Sequence, residues 1–354
     1  MRQVSRIAII ATATAAVFAL GIQSASADDS ATPNGVSDTD CVYPISEFEP
    51  NGDHVYTWRV TDESSIITRF PSSVLDPKVL SEGELSRYAV QPPPALDSAE
   101  YADWLTVATA LLQPPAHNPG PMCASNVKAG AYSSLYSGFA ARSTFADRIE
   151  SVSTSYTAPT LDPMACTGSA IGQWVGVADV FTKDMSKLIQ VGLGYVPSAN
   201  FYGGFVEVVG GPWAGTTAQA IPVLYIPGHR YYMHMYYVST TLWAFALVDL
   251  DNSSNHASGF IGNEPGGAQY IGTAGLFISE RPIVGNGISA YMKHSDTRFR
   301  TATVKLESGT SLLLSDANPI DYTMTGGGGA YALGTADTLN QTTGSFTEHW
   351  LACS

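Results

Sequence analysis

From about Tyr132 to its end the chain is cut into short strand-like runs by Gly, Pro, Asn and Ser. The runs Gln173–Val177, Leu188–Leu193, Gly204–Val209, Arg230–Val238, Thr241–Leu250 and Leu276–Ser279 include several with apolar or aromatic residues at alternate positions, the period of a strand. Regularly spaced strands with turn signals between them predict an all-β sandwich or barrel. Composition agrees: only 14% of residues are charged, and Gly, Ser, Thr, Tyr and Ala are abundant. Hydroxyl-rich strand faces are expected, rather than a helical bundle.

The region ahead of Tyr132 is different. Residues 28–40 are small and polar and read as a flexible lead. Tyr56 to Val60 alternates like a strand. Ser81, three residues before Glu84, has the pattern of a capped helix start. Trp104, Leu105, Ala108 and Leu111 fall at helical spacing within 99–112. Gln113 to Pro121 holds four prolines and reads as a linker. The chain is long enough for more than one core.

The first 27 residues read as an export signal: Arg2 and Arg6, an uncharged apolar run from Ile7 to Leu20, and Ala25-Ser26-Ala27 as a cleavage site. The run is too short to span a bilayer as a helix. A secreted, extracellular product is expected, with no membrane contact after signal removal. The signal carries two of the 17 basic residues and none of the 31 acidic ones, leaving a net charge of −16. Such a charge argues against nucleic acid and anionic membranes as partners. It also suits an acid medium, where carboxylates neutralise and self-repulsion falls. The four cysteines, Cys41, Cys123, Cys166 and Cys353, imply two disulfides in an exported chain, with three pairings open.

Familiar chemistries find little support. There is no G-x-S-x-G and no H-E-x-x-H. His229 and His234 are five apart, which on a strand places them on opposite faces, so no metal is expected there. The Gly326–Gly329 run lacks the lysine and the strand–loop–helix setting of a phosphate loop. What stands out is a set of polar residues inside apolar strands: Gln190, Glu207 and Glu280. A carboxylate on an aromatic-rich face is desolvated, which fits it for acid–base work.

These strings resemble those of the glutamic peptidase (eqolisin) family. Tyr136-Ser137-Gly138-Phe139-Ala140 resembles its opening strand, and the segment 149–159 its S-V-S-G-S-W-T strand. Cys166-Thr167-Gly168 followed by Trp174-Val175-Gly176-Val177 resembles its C…W-V-G-I segment. Leu188-Ile189-Gln190-Val191-Gly192 resembles I-L-Q-T-G, Phe205-Val206-Glu207-Val208-Val209 resembles W-Y-E-W-Y, and Phe277-Ile278-Ser279-Glu280-Arg281-Pro282 resembles W-I-V-E-R-P. All six occur in the family's order across residues 132–305. Arg69-Phe70-Pro71, the segment 80–88 and Pro92-Pro93-Pro94 are similar to the leader of bacterial members.

The resemblance implies a two-sheet, antiparallel, lectin-like (concanavalin-type) β-sandwich over residues 131–354. It also implies a propeptide or accessory region with its Pro-rich linker over 28–130. It implies a secreted acid endopeptidase, monomeric and without a cofactor, acting on polypeptides. Gln190 and Glu280 would be catalytic, and Trp174 and Glu207 would line the cleft. The upstream region is expected to be a propeptide that covers the cleft and is released in acid by cleavage near residues 113–130. One pairing expected is Cys41 with Cys123 and Cys166 with Cys353. The chain departs from the family pattern at Ala178 and Gly194, where acidic residues are usual, with Asp179 one place late, and at Gly210-Gly211 and Gly275-Leu276-Phe277. The other readings are a catalytically inactive peptide- or carbohydrate-binding sandwich, using Tyr231, Tyr232, Tyr236, Tyr237 and Trp243, and a glycoside-acting enzyme using Glu207 and Glu280 as a carboxylate pair.

Overall fold

A computed structural model of the chain describes residues 41–61, 64–98, 100–114, 122–123, 127–128, 134–143, 147–178, 188–209, 218–239, 242–263, 272–284, 287–327 and 329–354. The expected signal, most of the Pro-rich linker, Asp179 and Gly210-Gly211 lie outside these residues.

The architecture is a β-sandwich. The front sheet runs β13 (Gln219–Ile221), β12 (Phe201–Val209), β11 (Leu188–Val196), β10 (Ser169–Ala178), β17 (Ala274–Glu280), β7 (Tyr136–Arg142) and β24 (Ile320–Tyr322), with β20 (Ala290–Tyr291) on β10. The back sheet runs β2 (Ile45–Phe48), β3 (His54–Thr61), β4 (Ser64–Phe70), β16 (His256–Asn263), β15 (Leu242–Asp249), β14 (Arg230–Ser239), β8 (Ile149–Thr157), β22 (Thr297–Leu306), β27 (Phe346–Trp350), β26 (Tyr331–Ala336) and β25 (Met324–Gly326), with β23 (Ser311–Leu313) on β22. Three small pairings complete it: β1 (Cys41–Val42) with β5 (Met122–Cys123); β6 (Val127–Lys128) with β18 (Ile283–Val284) and β19 (Gly287–Ile288); and β9 (Leu161–Asp162) with β21 (Lys293–His294).

Strand alternation builds the core. Val175, Val191, Val206 and Phe277 of the front sheet meet Val152, Tyr156, Met233, Phe245 and Phe299 of the back sheet in one buried cluster. Tyr231 and Trp243, two of the aromatics that a binding reading would present to a ligand, are buried in this same core. Unlike a sheet with one wet face, the front sheet is apolar on its outer side too. Trp174, Leu188, Phe205, Leu276 and Ile278 form a second buried cluster there. This is why β10 and β17 are buried at every position.

The N-terminal region packs on the back sheet. β4 pairs with β16, placing Ile66 opposite Ile261, and Trp58, Ile66 and Phe70 join the main core. Helix α1 (Glu82–Arg87) starts at the expected capping box, with Ser81 Oγ accepting from the Glu84 N–H and Glu84 accepting from the Ser81 N–H. Helix α2 (Glu100–Leu111) lays Trp104, Val107, Ala108 and Leu111 against Ala246 and Val248 of β15. Gln91 contacts the buried His234 ring, and its side-chain oxygen accepts from Tyr232 (3.2 Å).

Cys166 and Cys353 form a disulfide with a Cα–Cα distance of 5.6 Å, pinning the tail beside the start of β10. In β1 and β5 the backbones of Cys41 and Cys123 stand directly opposite each other. Opposed residues of an antiparallel pair lie within the Cα range a disulfide spans.

Between the sheets lies Glu348 of β27, fully buried. One oxygen accepts from the Ser137 hydroxyl, and the other has no partner among the described residues. Burial foremost, with Asp321 and Asp337 adding to it, pushes this carboxyl up to about 8 against the bond from Ser137. The folded protein therefore holds Glu348 neutral where the unfolded chain would ionise it. Its contribution is fully present below the ordinary carboxyl value of 4.5 and is lost as pH rises toward about 8. The full swing is on the order of 5 kcal/mol. Denaturant unfolding of wild type and Glu348→Gln from pH 4 to 9 checks this: the wild-type curve is expected to fall more steeply between pH 5 and 8. Parallel curves would show that Glu348 does not titrate with folding.

Candidate active site

The register of five strands sets the outward side chains of the front sheet in rows. Tyr136 stands opposite Glu280, Glu280 opposite Gly172, and Gly172 opposite Gly194. The next row is Ile278, Trp174, Gly192 and Phe205. The one after it is Leu276, Gly176, Gln190 and Glu207. Opposed residues of an antiparallel pair share a face. Trp174, Gln190, Glu207 and Glu280 therefore all rise from the outer face of the front sheet, as two-residue alternation requires.

Gly192 is needed where it stands. A Cβ there would come within 2.5 Å of Trp174 Cβ and 2.3 Å of the Gln173 carbonyl. Across the row, the Trp174 indole N–H donates to Glu280 Oε2 at 2.7 Å. The Gln190 side-chain N–H donates to Glu207 Oε2 at 2.7 Å. All three polar side chains are closed to solvent: Gln190 is 0% exposed, Glu280 3% and Glu207 4%. Gln190 Oε1 is a buried acceptor with no partner among the described residues.

Glu207 and Glu280 line one recess, with Gly172, Gly194, Phe201, Phe205 and Pro282 forming apolar floor and walls. Gln190 is not among the described residues lining it and bears on it through Glu207. The Tyr136 ring sets its edge against Trp174 (5.8 Å between centroids, 89°). Its phenol is held well above the ordinary tyrosine value by burial first, then by the charges of Glu280 and Glu207. The phenol is thus a donor at every working pH, within the fields of both carboxylates. Tyr136 is a site residue that sequence patterning passed over, because its place beside Glu280 depends on the pairing of β7 with β17.

The positions where acidic residues were looked for have other surroundings. Ala178 is buried between Leu188 and Ala274 in the outer apolar cluster. At Gly194 a Cβ would meet the Phe201 ring at 2.6 Å, so the space of a side chain is filled by an aromatic ring. Among the described residues, no cluster of three or more His, Cys, Asp or Glu is placed to hold a metal ion, and no helix is long and apolar enough to cross a membrane.

Short strands from the region before β7 flank the site. β6 pairs with β18, which begins three residues after Glu280 and places Lys128 opposite Ile283. β5 lies against β13 at the other edge of the front sheet.

No protein-family model matches the sequence, and no curated protein matches it. Solved structures do match the fold. Scytalido-glutamic peptidase with a transition-state analogue inhibitor aligns at a TM-score of 0.50 and 15% identity, covering 61% of this chain and 98% of that one. SCP-B, an eqolisin-family peptidase in complex with a tripeptide, aligns at a TM-score of 0.47 and 15% identity, over 61% of this chain and 98% of that one. Aspergilloglutamic peptidase from Aspergillus niger aligns at a TM-score of 0.42 and 15% identity, over 52% and 99%. At 15% identity the first likeness is one of architecture: the chain shares the β-sandwich fold of a glutamic peptidase.

Proposed function

We propose that this chain is a secreted acid endopeptidase of the glutamic type, with Glu280 and Gln190 as its catalytic pair. One observation carries the reading. Glu280 is a buried carboxyl at an apolar recess, with one oxygen fixed by the Trp174 indole and the recess shared with Glu207, which accepts from Gln190 behind it. The fold likeness to a peptidase that holds a transition-state analogue inhibitor supports it.

In this mechanism Glu280 takes a proton from water as the water oxygen attacks the peptide carbonyl carbon, and later gives that proton to the leaving nitrogen. Gln190 stands behind Glu207, outside the recess lining. On substrate binding its second side-chain N–H, the one not spent on Glu207, is expected to turn to the developing oxyanion and donate to it. A carboxamide does not titrate, so it donates equally well in acid. Trp174 holds Glu280 in place, and the apolar walls strengthen each interaction by excluding water. The substrate is a polypeptide.

Cleavage of a mixed peptide library by the purified protein from pH 2 to 7 tests the reading. Cleavage in acid is expected. Glu280→Gln and Gln190→Ala are each expected to lose at least about 100-fold, the scale of a lost general base or oxyanion donor. Normal activity in either variant would remove that residue from the assignment.

Residues 28–130 fit a latency role, with a Cys41–Cys123 disulfide holding β1 to β5 and β6 paired with β18 just after Glu280. Acid cleavage within 113–130 would open the recess. Because β4 is bonded to β16 and buries Trp58 and Phe70, the severed N-terminal piece is expected to stay in the sheet. After acid processing the two fragments should co-elute on size exclusion under native conditions. Elution of an active sandwich without its N-terminal piece would show that the region is shed.

A further inference from the structure

Resting on the peptidase reading, we infer that Gly172 is a specificity-determining residue: its missing side chain leaves a socket beside Glu280 for an apolar side chain of the substrate, on one flank of the scissile bond.

Gly172, Gly192 and Gly194 of β10 and β11 stand in the two rows that hold Glu280 and Trp174, and they are not alike. Packing requires glycine at 192, where a Cβ would meet Trp174 Cβ at 2.5 Å. Packing requires it at 194 too, where a Cβ would meet Phe201 Cε1 at 2.6 Å. At Gly172 a Cβ would meet Trp174 Cδ1 at 3.8 Å, Pro282 Cγ at 3.9 Å and Phe205 Cζ at 4.0 Å, all ordinary van der Waals contacts. Its φ lies outside the left-handed region. The register of β10 with both neighbours runs through it without a bulge. Neither sterics nor backbone conformation therefore demands glycine at 172. Glycine inside a strand weakens it, and where it marks no bulge or bend it marks a place that another group approaches closely. The gap that Gly172 leaves belongs to the recess that Glu280 lines.

The place of the gap fits a substrate side chain. Gly172 stands directly opposite Glu280, and opposed Cα atoms of an antiparallel pair lie about 4.5 to 5.5 Å apart. An extended peptide rises ~3.3 Å per residue. A peptide bond attacked at Glu280 thus has a flanking residue within reach of the floor at Gly172. The walls there are Val196, Phe201, Phe205, Ala218 and Pro282. An apolar side chain gains by leaving water for such walls. An ammonium or guanidinium would lose its hydration, and would engage the Glu280 carboxyl that has to take a proton from water. Length is limited by Phe201. Its ring fills the space beside Gly194, the next position in the row, and sets its edge against Phe205 (6.3 Å between centroids, 73°).

The test uses acid-processed full-length protein and peptides in which each residue flanking the cleaved bond is varied in turn among Ala, Leu, Phe, Lys and Asp, with kcat/KM measured for each. Wild type is expected to prefer Leu or Phe to Ala, Lys and Asp at one flanking position. Gly172→Ala sets one methyl on the floor and should lower the Leu-to-Ala ratio of kcat/KM at that position roughly 10- to 200-fold, the scale of one methylene in an apolar pocket. An unmoved ratio overturns the inference, and so does a wild-type preference for Lys or Asp at both positions. Phe201→Leu serves if the alanine variant misfolds: it lengthens the socket, so a raised Phe-to-Leu ratio supports the inference and an unmoved one overturns it. Glu280→Gln in parallel separates the two readings. An inactive Glu280→Gln beside unmoved ratios leaves the peptidase reading standing without the socket, whereas undiminished cleavage by Glu280→Gln would sink the peptidase assignment itself.

Discussion

The site depends on the pairing of β10 with β17. Their register alternates outward and inward residues in phase. Outward, Trp174 reaches Glu280. Inward, the neighbouring residues Gln173 and Ser279 stand opposite each other, and Gln173 donates to Ser279 Oγ at 3.3 Å and to Thr297 Oγ1 at 3.2 Å. The Tyr156 hydroxyl donates to the Gln173 oxygen. A fully buried glutamine is tolerable only when its amide is satisfied on both sides, and this one is. Because Tyr156 belongs to β8 and Thr297 to β22, the network ties the front sheet to the back sheet directly beneath Trp174 and Glu280. A slip of one residue on either strand would turn Trp174 or Glu280 into the core and Gln173 or Ser279 outward.

Much of the fold was legible because the signals are local. Alternation marked the strands, and the Ser81–Glu84 capping box marked the start of α1. The order of six short strings carried the fold expectation, and a shared architecture with a glutamic peptidase agrees with it. The pairing of β4 with β16 was not legible. It joins Ile66 to Ile261 across nearly 200 residues, and a strand's sequence does not say which distant edge it will complete. Nor did patterning reveal that the rich aromatics of β14 and β15 serve different ends. Tyr231 and Trp243 fill the core, while Tyr232 and Tyr236 lie on the opposite face of β14 from Tyr231.

The candidate site was legible as residue types and not as contacts. Gln190, Glu207 and Glu280 stand out as polar residues in apolar strands. That Gln190 is bonded to Glu207, and that Glu280 shares its recess with Glu207, follows from a register that places Gln190 and Glu207 in one row and Glu280 two rows away. Tyr136 was invisible as a site residue for the same reason. Glu348 was equally hidden: nothing in Phe346-Thr347-Glu348-His349-Trp350 distinguishes a carboxyl facing the core from one facing water, since either phase of the strand fits the pattern.

The two positions where acidic residues were looked for are apolar: Ala178 lies in the outer cluster, and the Phe201 ring fills the space beside Gly194 at the recess. In a drier recess the Trp174 bond to Glu280 and the Gln190 bond to Glu207 carry more of the work of holding charge. Both donors, an indole and a carboxamide, are neutral. Neither donor titrates, so this arrangement holds its geometry at any acidity at which the sandwich itself stays folded.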